Sequence, residues 1–187
     1  MAGHQQECEI CNRVAECRAG THPGLIAELD TGFAVLGDSQ FFRGYTLYLS
    51  KTPATELHQL ARAARVRFIE EMTQVAEAVH NAFRPHKLNC ESLGNVVHHI
   101  HWHIFPRRKT DPDVLAPVWG QMPKEGTPEY NATKFDHARD FELIESIRAE
   151  LVKARKHEKA EEPAKADSAP ASKAPPKASS KTQSKAE

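Results

Sequence analysis

Polar and apolar positions change period several times along the chain, and each change marks an element. Leu25–Leu29 and Phe33–Leu36 are short apolar runs separated by Asp30-Thr31-Gly32, the pattern of two strands around a turn. Tyr45–Leu49 reads as a third strand. Pro53 opens a helical region, with Thr52 placed as its N-cap. Val66, Ile69, Met72, Val75, Ala76, Val79 and Phe83 then recur at helical spacing and form a core stripe that stops at Arg84-Pro85. Residues 87–92 and 96–105 read as a fourth and a fifth strand. Phe141, Ile144, Ile147 and Leu151 repeat the helical spacing near the C-terminus, and residues 8–15 fit a short opening helix. Pro112, Pro117, Pro123 and Pro128 make 109–130 a loop. From residue 159 the composition turns to Ala, Lys, Pro and Ser, that of a solvated, disordered tail. The sum is an α+β domain, a sheet with one long helix packed on it and a C-terminal helix.

The fifth strand carries the chemistry. It reads Val96-Val97-His98-His99-Ile100-His101-Trp102-His103-Ile104-Phe105-Pro106. Side chains of a strand alternate between its faces, so Val97, His99, His101, His103 and Phe105 share one face. Successive imidazoles then lie about 6.5–7 Å apart. The opposite face, with Val96, His98, Ile100, Trp102 and Ile104, is apolar enough apart from His98 to sit on a core. Pro106 is expected to end the ladder, because proline cannot donate to it. Three readings of the histidines compete: a surface strand without chemistry, a zinc clamp, and nucleophilic catalysis by a central imidazole oriented by its neighbours. Asn89, Gly94 and Asn95 lie just upstream and offer neutral amide donors and a pliable backbone, which suit a polyphosphate better than a metal. Arg107 and Arg108 follow and are read as positive charge for an anionic substrate.

His99-Ile100-His101-Trp102-His103-Ile104-Phe105 resembles the signature of the histidine triad (HIT) family, three histidines alternating with apolar residues. The wider likeness runs from about Phe33 to Asp113 and is nearest to bacterial HIT proteins of the diadenosine-tetraphosphate-hydrolase type. The resemblance implies a HIT-like fold with a five-stranded antiparallel sheet, a homodimer, and hydrolysis at the α-phosphate of a dinucleoside polyphosphate or related adenylated compound. It implies roles as well. His101 would be the nucleophile that forms a nucleotidyl-histidine. His103 would bind the phosphate and assist the leaving group, and His99 would orient His101. Asn89, Asn95 and Gly94 resemble phosphate-contacting positions, and Gly37 with Asp38 resembles the ribose-binding segment. No cofactor is implied for catalysis.

Three positions depart from the family pattern. Tyr45 follows Gly44 where a histidine is frequent. Thr52 stands near another such place, after the third strand. Val96 replaces a serine or threonine three residues before the triad. These departures keep one rival open, a nucleotide-sensing module without turnover, and a zinc hydrolase using the three histidines as ligands stands as a second, mechanistic rival.

Four cysteines occur, Cys8, Cys11, Cys17 and Cys90. Cys8-Glu9-Ile10-Cys11 is a C-x-x-C knuckle, a candidate for structural zinc or else a turn with two ordinary thiols, and the HIT resemblance implies His99 as a further ligand if zinc is bound. The polar opening stretch has no signal-peptide core and no run is long enough to span a membrane, so reduced thiols in a cytoplasmic protein are expected. The 187 residues carry 25 basic and 25 acidic side chains, which leaves no general electrostatic case for nucleic acid. The arginines Arg62, Arg65 and Arg67 read as a solvated helix face. Pro117-Val118-Trp119 is a candidate cover for the nucleotide site. The expected organisation is an N-terminal segment 1–24, a domain core 25–113, a loop and helix 114–158, and a tail 159–187.

Overall fold

The computed structural model describes residues 8–161, with side chains described through residue 156. Helix α1 is Glu9–Ala19, and strands β1 (Leu25–Glu28), β2 (Gly32–Leu36) and β3 (Thr46–Ser50) follow. Helix α2 spans Arg62–Phe83, strand β4 Lys87–Glu91 and strand β5 His101–Arg107, and helices α3 (Pro128–Thr133) and α4 (His137–Glu161) close the order. All neighbouring strands pair antiparallel, in the order β1-β2-β3-β5-β4. The α+β fold with a five-stranded antiparallel sheet is therefore as expected. Helix α4 runs on to Glu161, so the tail expected from 159 falls mostly outside the described residues, as does the stretch read for a signal peptide. No helix of the described residues is long and apolar enough to cross a membrane.

Period-2 alternation divides the strands between two cores. Ala34, Leu36, Tyr48, Ile100 and Ile104 join Phe68, Met72, Val75 and Val79 of α2 and Ile144, Ile147 and Leu151 of α4. Phe33, Val35, Leu47, Leu49 and Phe105 face the other way, onto Ile10, Val14 and Cys17 of α1 and onto Phe42, Tyr45 and Val118. Both sheet faces are thus covered, which is why β2 reads as an unbroken apolar run. Each fully buried side chain of Phe68 or Val75 size contributes about 1.5–3 kcal/mol.

A buried carboxylate joins the helical layer to the sheet. Glu71 of α2 accepts from the amides of Asp30 (2.7 Å) and Thr31 (2.9 Å) and from the hydroxyls of Thr31 and Tyr48. Arg67 stands 3.3 Å from it. The turn between β1 and β2 is thereby held to the helix, and no buried acceptor of this charge is left bare.

Several expectations are corrected. Thr52 does not cap α2: a short 3₁₀ turn, Leu57–Gln59, intervenes and α2 begins at Arg62. The buried stripe of α2 includes Phe68, whereas Val66 is 44% exposed on the far side. In α4, Leu143 is buried and Phe141 is exposed. Helix α2 does end as expected, with Arg84 left-handed at φ 46°, since a residue before proline avoids the helical region. Strand β5 starts at His101 rather than 96 and passes through Pro106 to Arg107. Pro106 is tolerated because β3 pairs only as far as Ile104, so the missing N–H deprives no neighbour on that side.

Candidate active site

The alternation of β5 points His101, His103 and Phe105 toward the α1 side and leaves Trp102 and Ile104 on the α2 side. His101 is buried and its Nδ1 lies 2.6 Å from the carbonyl oxygen of His99. A carbonyl only accepts, so Nδ1 carries the proton and Nε2 the lone pair. That Nε2 lies 3.0 Å from Nε2 of His103, which must then be the donor. The remaining His103 Nδ1 accepts from the Tyr45 hydroxyl at 2.6 Å. One directed chain results, from Tyr45 through His103 and His101 to a main-chain carbonyl.

The electrostatics agree with this chain. Burial pushes His101 below the ordinary imidazole range, with only partial opposition from the His99 carbonyl. Burial, and then the neighbouring His101, push His103 down to about 3. Burial raises the Tyr45 phenol, which stays protonated and donates. Two neutral imidazoles in fixed tautomers are what a histidine nucleophile and its hydrogen-bonding partner require. Tyr45, noted in the sequence only as a departure, fills the orienting place. The ring also stacks on Phe105 at 4.0 Å, and a Cβ on Gly37 would come within 2.2 Å of it. Gly37 therefore belongs to the packing of Tyr45.

A cavity of about 210 Å³ opens on the α1 side of the pair, lined by Ile10, Leu47, Val97, Trp119 and Met122 with His101 and His103. Asp38 stands at this cavity and pairs with Arg13 at 2.6 Å. Trp119 meets His103 edge-on with ring centres 4.9 Å apart, and its Nε1 donates to Glu91. The Pro117-Val118-Trp119 segment thus lies beside the histidines, anchored by fully buried Val118.

Asn89 and Arg107 serve each other. The Asn89 Oδ1 accepts from Arg107 Nη1 at 2.8 Å, and Asn89 lines neither cavity that meets His101. Arg107 is buried, bonded to Asp111 at 2.7 Å and to the carbonyls of Asp113 and Ala116. Arg108 donates to the carbonyl of Arg43 at 2.8 Å. Arg107 holds the loop that carries Trp119 and Arg108 ties the end of β5 to the connection between β2 and β3, which corrects their reading as free charge for substrate. Gly94, left-handed at φ 71°, shapes the loop before β5, and its carbonyl accepts from His98 at 2.8 Å. Asn95 is exposed on the same loop.

His99 turns away from the other two histidines. Its Nε2 lies 2.9 Å from the carbonyl oxygen of Ser50 and therefore donates, which leaves the Nδ1 lone pair facing the cysteines. Cys8 and Cys11 place their sulfurs 3.7 and 3.4 Å from that Nδ1. All three ligand atoms lie within 4.8 Å of one another. Two thiols and an imidazole in the ligating tautomer fit zinc. The three triad histidines do not converge as a ligand set, so the three-histidine zinc reading has no geometric support among the described residues.

Known proteins share this architecture. Residues 22–110 match the family model described as HIT domain. The protein named Protein hit from Bacillus subtilis (strain 168) is 27% identical over 130 residues, 66% of this chain and 86% of that protein. A histidine triad protein from Bradyrhizobium japonicum superposes with a TM-score of 0.59 at 24% identity, covering 68% of this chain and 89% of that one. A zinc-bound histidine triad family protein from Mycobacterium smegmatis gives 0.56 at 22% identity, covering 82% and 99%. The fold is HIT-like, and the match to the HIT domain model spans residues 22–110.

Proposed function

We propose that this protein is a nucleotide hydrolase that acts through a covalent nucleotidyl-His101, with dinucleoside polyphosphates as its first substrate class. The observation that carries the reading is the directed chain from Tyr45 to the His99 carbonyl, which leaves a lone pair on the Nε2 of a neutral His101. That lone pair attacks the α-phosphorus. The bond from phosphorus to the bridging oxygen breaks, and its electron pair leaves with the departing phosphate. The Nε2–H of His103 passes from His101 to a phosphoryl oxygen and stabilises the charge gathering there. Water then attacks the phosphorus, the P–N bond returns its pair to His101, and the surplus proton goes to solvent. The nucleoside would rest in the cavity between Ile10, Leu47 and Trp119, with Asp38 toward the ribose. Gly94 and Asn95 supply donors on the loop before β5.

Cys8, Cys11 and His99 would hold a structural zinc, and there the ion would fix the start of α1 against the entry to β5 and keep both sulfurs as thiolates. Support comes from the His99 tautomer set by Ser50 and from the zinc-bound relative. A homodimer fits the free outer edge of β4.

AMP release from diadenosine tetraphosphate tests the catalytic reading, with wild type and His101→Ala, each with and without chelator. Turnover that survives the chelator and vanishes in the variant is expected. Wild-type protein that binds nucleotide without turnover overturns the hydrolase in favour of a sensing module.

A further inference from the structure

His101 is a wall between two cavities. The smaller is the one described above, and the larger, about 690 Å³, also has His101 in its lining. It exists because of a mismatch in strand length. Strand β4 stops opposite His103, whereas β3 still pairs with His101. Beyond the end of β4 the flank of His101 and Trp102 has no strand beside it. The 3₁₀ turn before α2 and the loop before β5 form the remaining walls.

The lining of this second cavity differs in kind. The smaller cavity is walled mainly by aromatic and aliphatic side chains, and the arginine in its lining, Arg13, is already paired with Glu9 and Asp38. The larger presents His58, Arg65 and His98 with the hydroxyls of Thr55 and Ser92, against one carboxylate, Glu56. Arg65 sits in the first turn of α2, its amide bonded to the carbonyl of Ala61. Arg67, two residues on, is engaged with Asp30 and Glu71, but the Arg65 guanidinium has no hydrogen bond or ion pair among the described residues. A cation unused by the fold, in a cavity that opens onto the nucleophile, is a receptor for an anion.

We infer that this larger cavity receives the leaving group, that the leaving group is a phosphate chain, and that Arg65 is the residue that selects it. The inference rests on the nucleotidyl-His101 reading and deepens it by naming the other half of the substrate. The chemistry is consistent at the bond that breaks. A polyphosphate departs as its own anion and needs no proton, whereas an amine must be protonated as it leaves. His103 holds a single Nε2–H and is backed only by a phenol, so it offers a hydrogen bond rather than a spare proton.

Two adenylyl donors with different leaving groups separate the cavities. Diadenosine tetraphosphate expels a nucleoside triphosphate, and adenosine 5′-phosphoramidate expels ammonia. Arg65→Ala should lower kcat/KM for the first by about 10- to 100-fold and leave the second within about threefold, with Arg65→Lys in between. An equal loss on both donors, or no loss on either, overturns the assignment. Inorganic tripolyphosphate gives a readout independent of turnover. The chain has two tryptophans, and each lines one cavity, Trp102 the larger and Trp119 the smaller. In Trp119→Phe, tripolyphosphate should change the Trp102 emission, and adding Arg65→Ala should abolish the change. If wild type cleaves neither donor, the catalytic reading fails while this titration still decides the anion site. Unchanged Trp102 emission at saturating tripolyphosphate overturns it.

Discussion

The α2–α4 face of the sheet buries more large apolar side chains than the α1 face, and the two divide the work unequally. On the α2–α4 face, Phe68, Val75, Ile104, Ile144 and Ile147 pack around Tyr48, whose hydroxyl is taken up by the Glu71 clamp at the margin. On the α1 face, Phe33, Val35 and Phe105 share space with Tyr45, His101, His103 and the Cys8–Cys11–His99 cluster. The α2–α4 face can therefore be tuned for stability alone. The α1 face must keep two imidazoles dry, neutral and aimed, which buries polar groups at a cost that only their hydrogen bonds offset. Strand β5 serves both faces, and alternate residues of one heptapeptide answer to different demands.

A paired substitution breaks the comparison most sharply. His101→Ala should cut AMP release by about 10⁴-fold or more while shifting unfolding free energy by less than about 1 kcal/mol. Phe68→Ala should do the reverse, costing about 3–5 kcal/mol in urea denaturation with unchanged activity per folded molecule. Equal effects on both readouts in either variant would mean that the faces are not separable.

A second test concerns the link between them. Arg43, on the connection from β2 to β3, reaches Asp140 at the start of α4 at 3.1 Å. Burial alone would raise the Asp140 carboxyl, but Arg139, the Asp136 amide and Arg43 overcome it and hold it below the usual carboxylate range. A carboxyl depressed on folding stabilises above its unfolded pKa and loses that contribution as pH falls through its folded value. Asp140→Asn should therefore cost about 2–3 kcal/mol at pH 7, and the deficit should shrink below about pH 4 in acid denaturation. A deficit independent of pH would assign the loss to packing.

The smallest expected effect is the most specific. Tyr45→Phe removes the donor to His103 Nδ1 and keeps the ring stacked on Phe105. His103 can then turn its lone pair toward His101, so kcat should fall about 10-fold with KM little changed. A rise in KM alone would place Tyr45 in substrate binding.

What was legible in the sequence follows from how local its cause is. The face shared by His101, His103 and Phe105 comes from a period of two, and it held even though β5 begins five residues later than expected. That start depends on where β3 and β4 stop pairing, which no local pattern encodes. Phe68 was missed because Val66 completes a plausible stripe, and only packing against α4 and Tyr48 decides the phase of α2. Arg107 reads as free charge because its partners, Asn89, Asp111 and two carbonyls, come together only in three dimensions. Tyr45 was visible as an oddity, and its meaning waited for the 2.6 Å contact with His103.

The alternation of β5 also limits how this chain can change in length. Deleting or inserting one residue between His101 and Phe105 would swap the faces, sending Trp102 to the nucleotide and an imidazole into the α2 core. Point substitutions at single positions can be absorbed, but a one-residue indel here alters core and chemistry together. Length variation in descendants of this gene should therefore gather in segments such as 121–127, where no strand register is at stake.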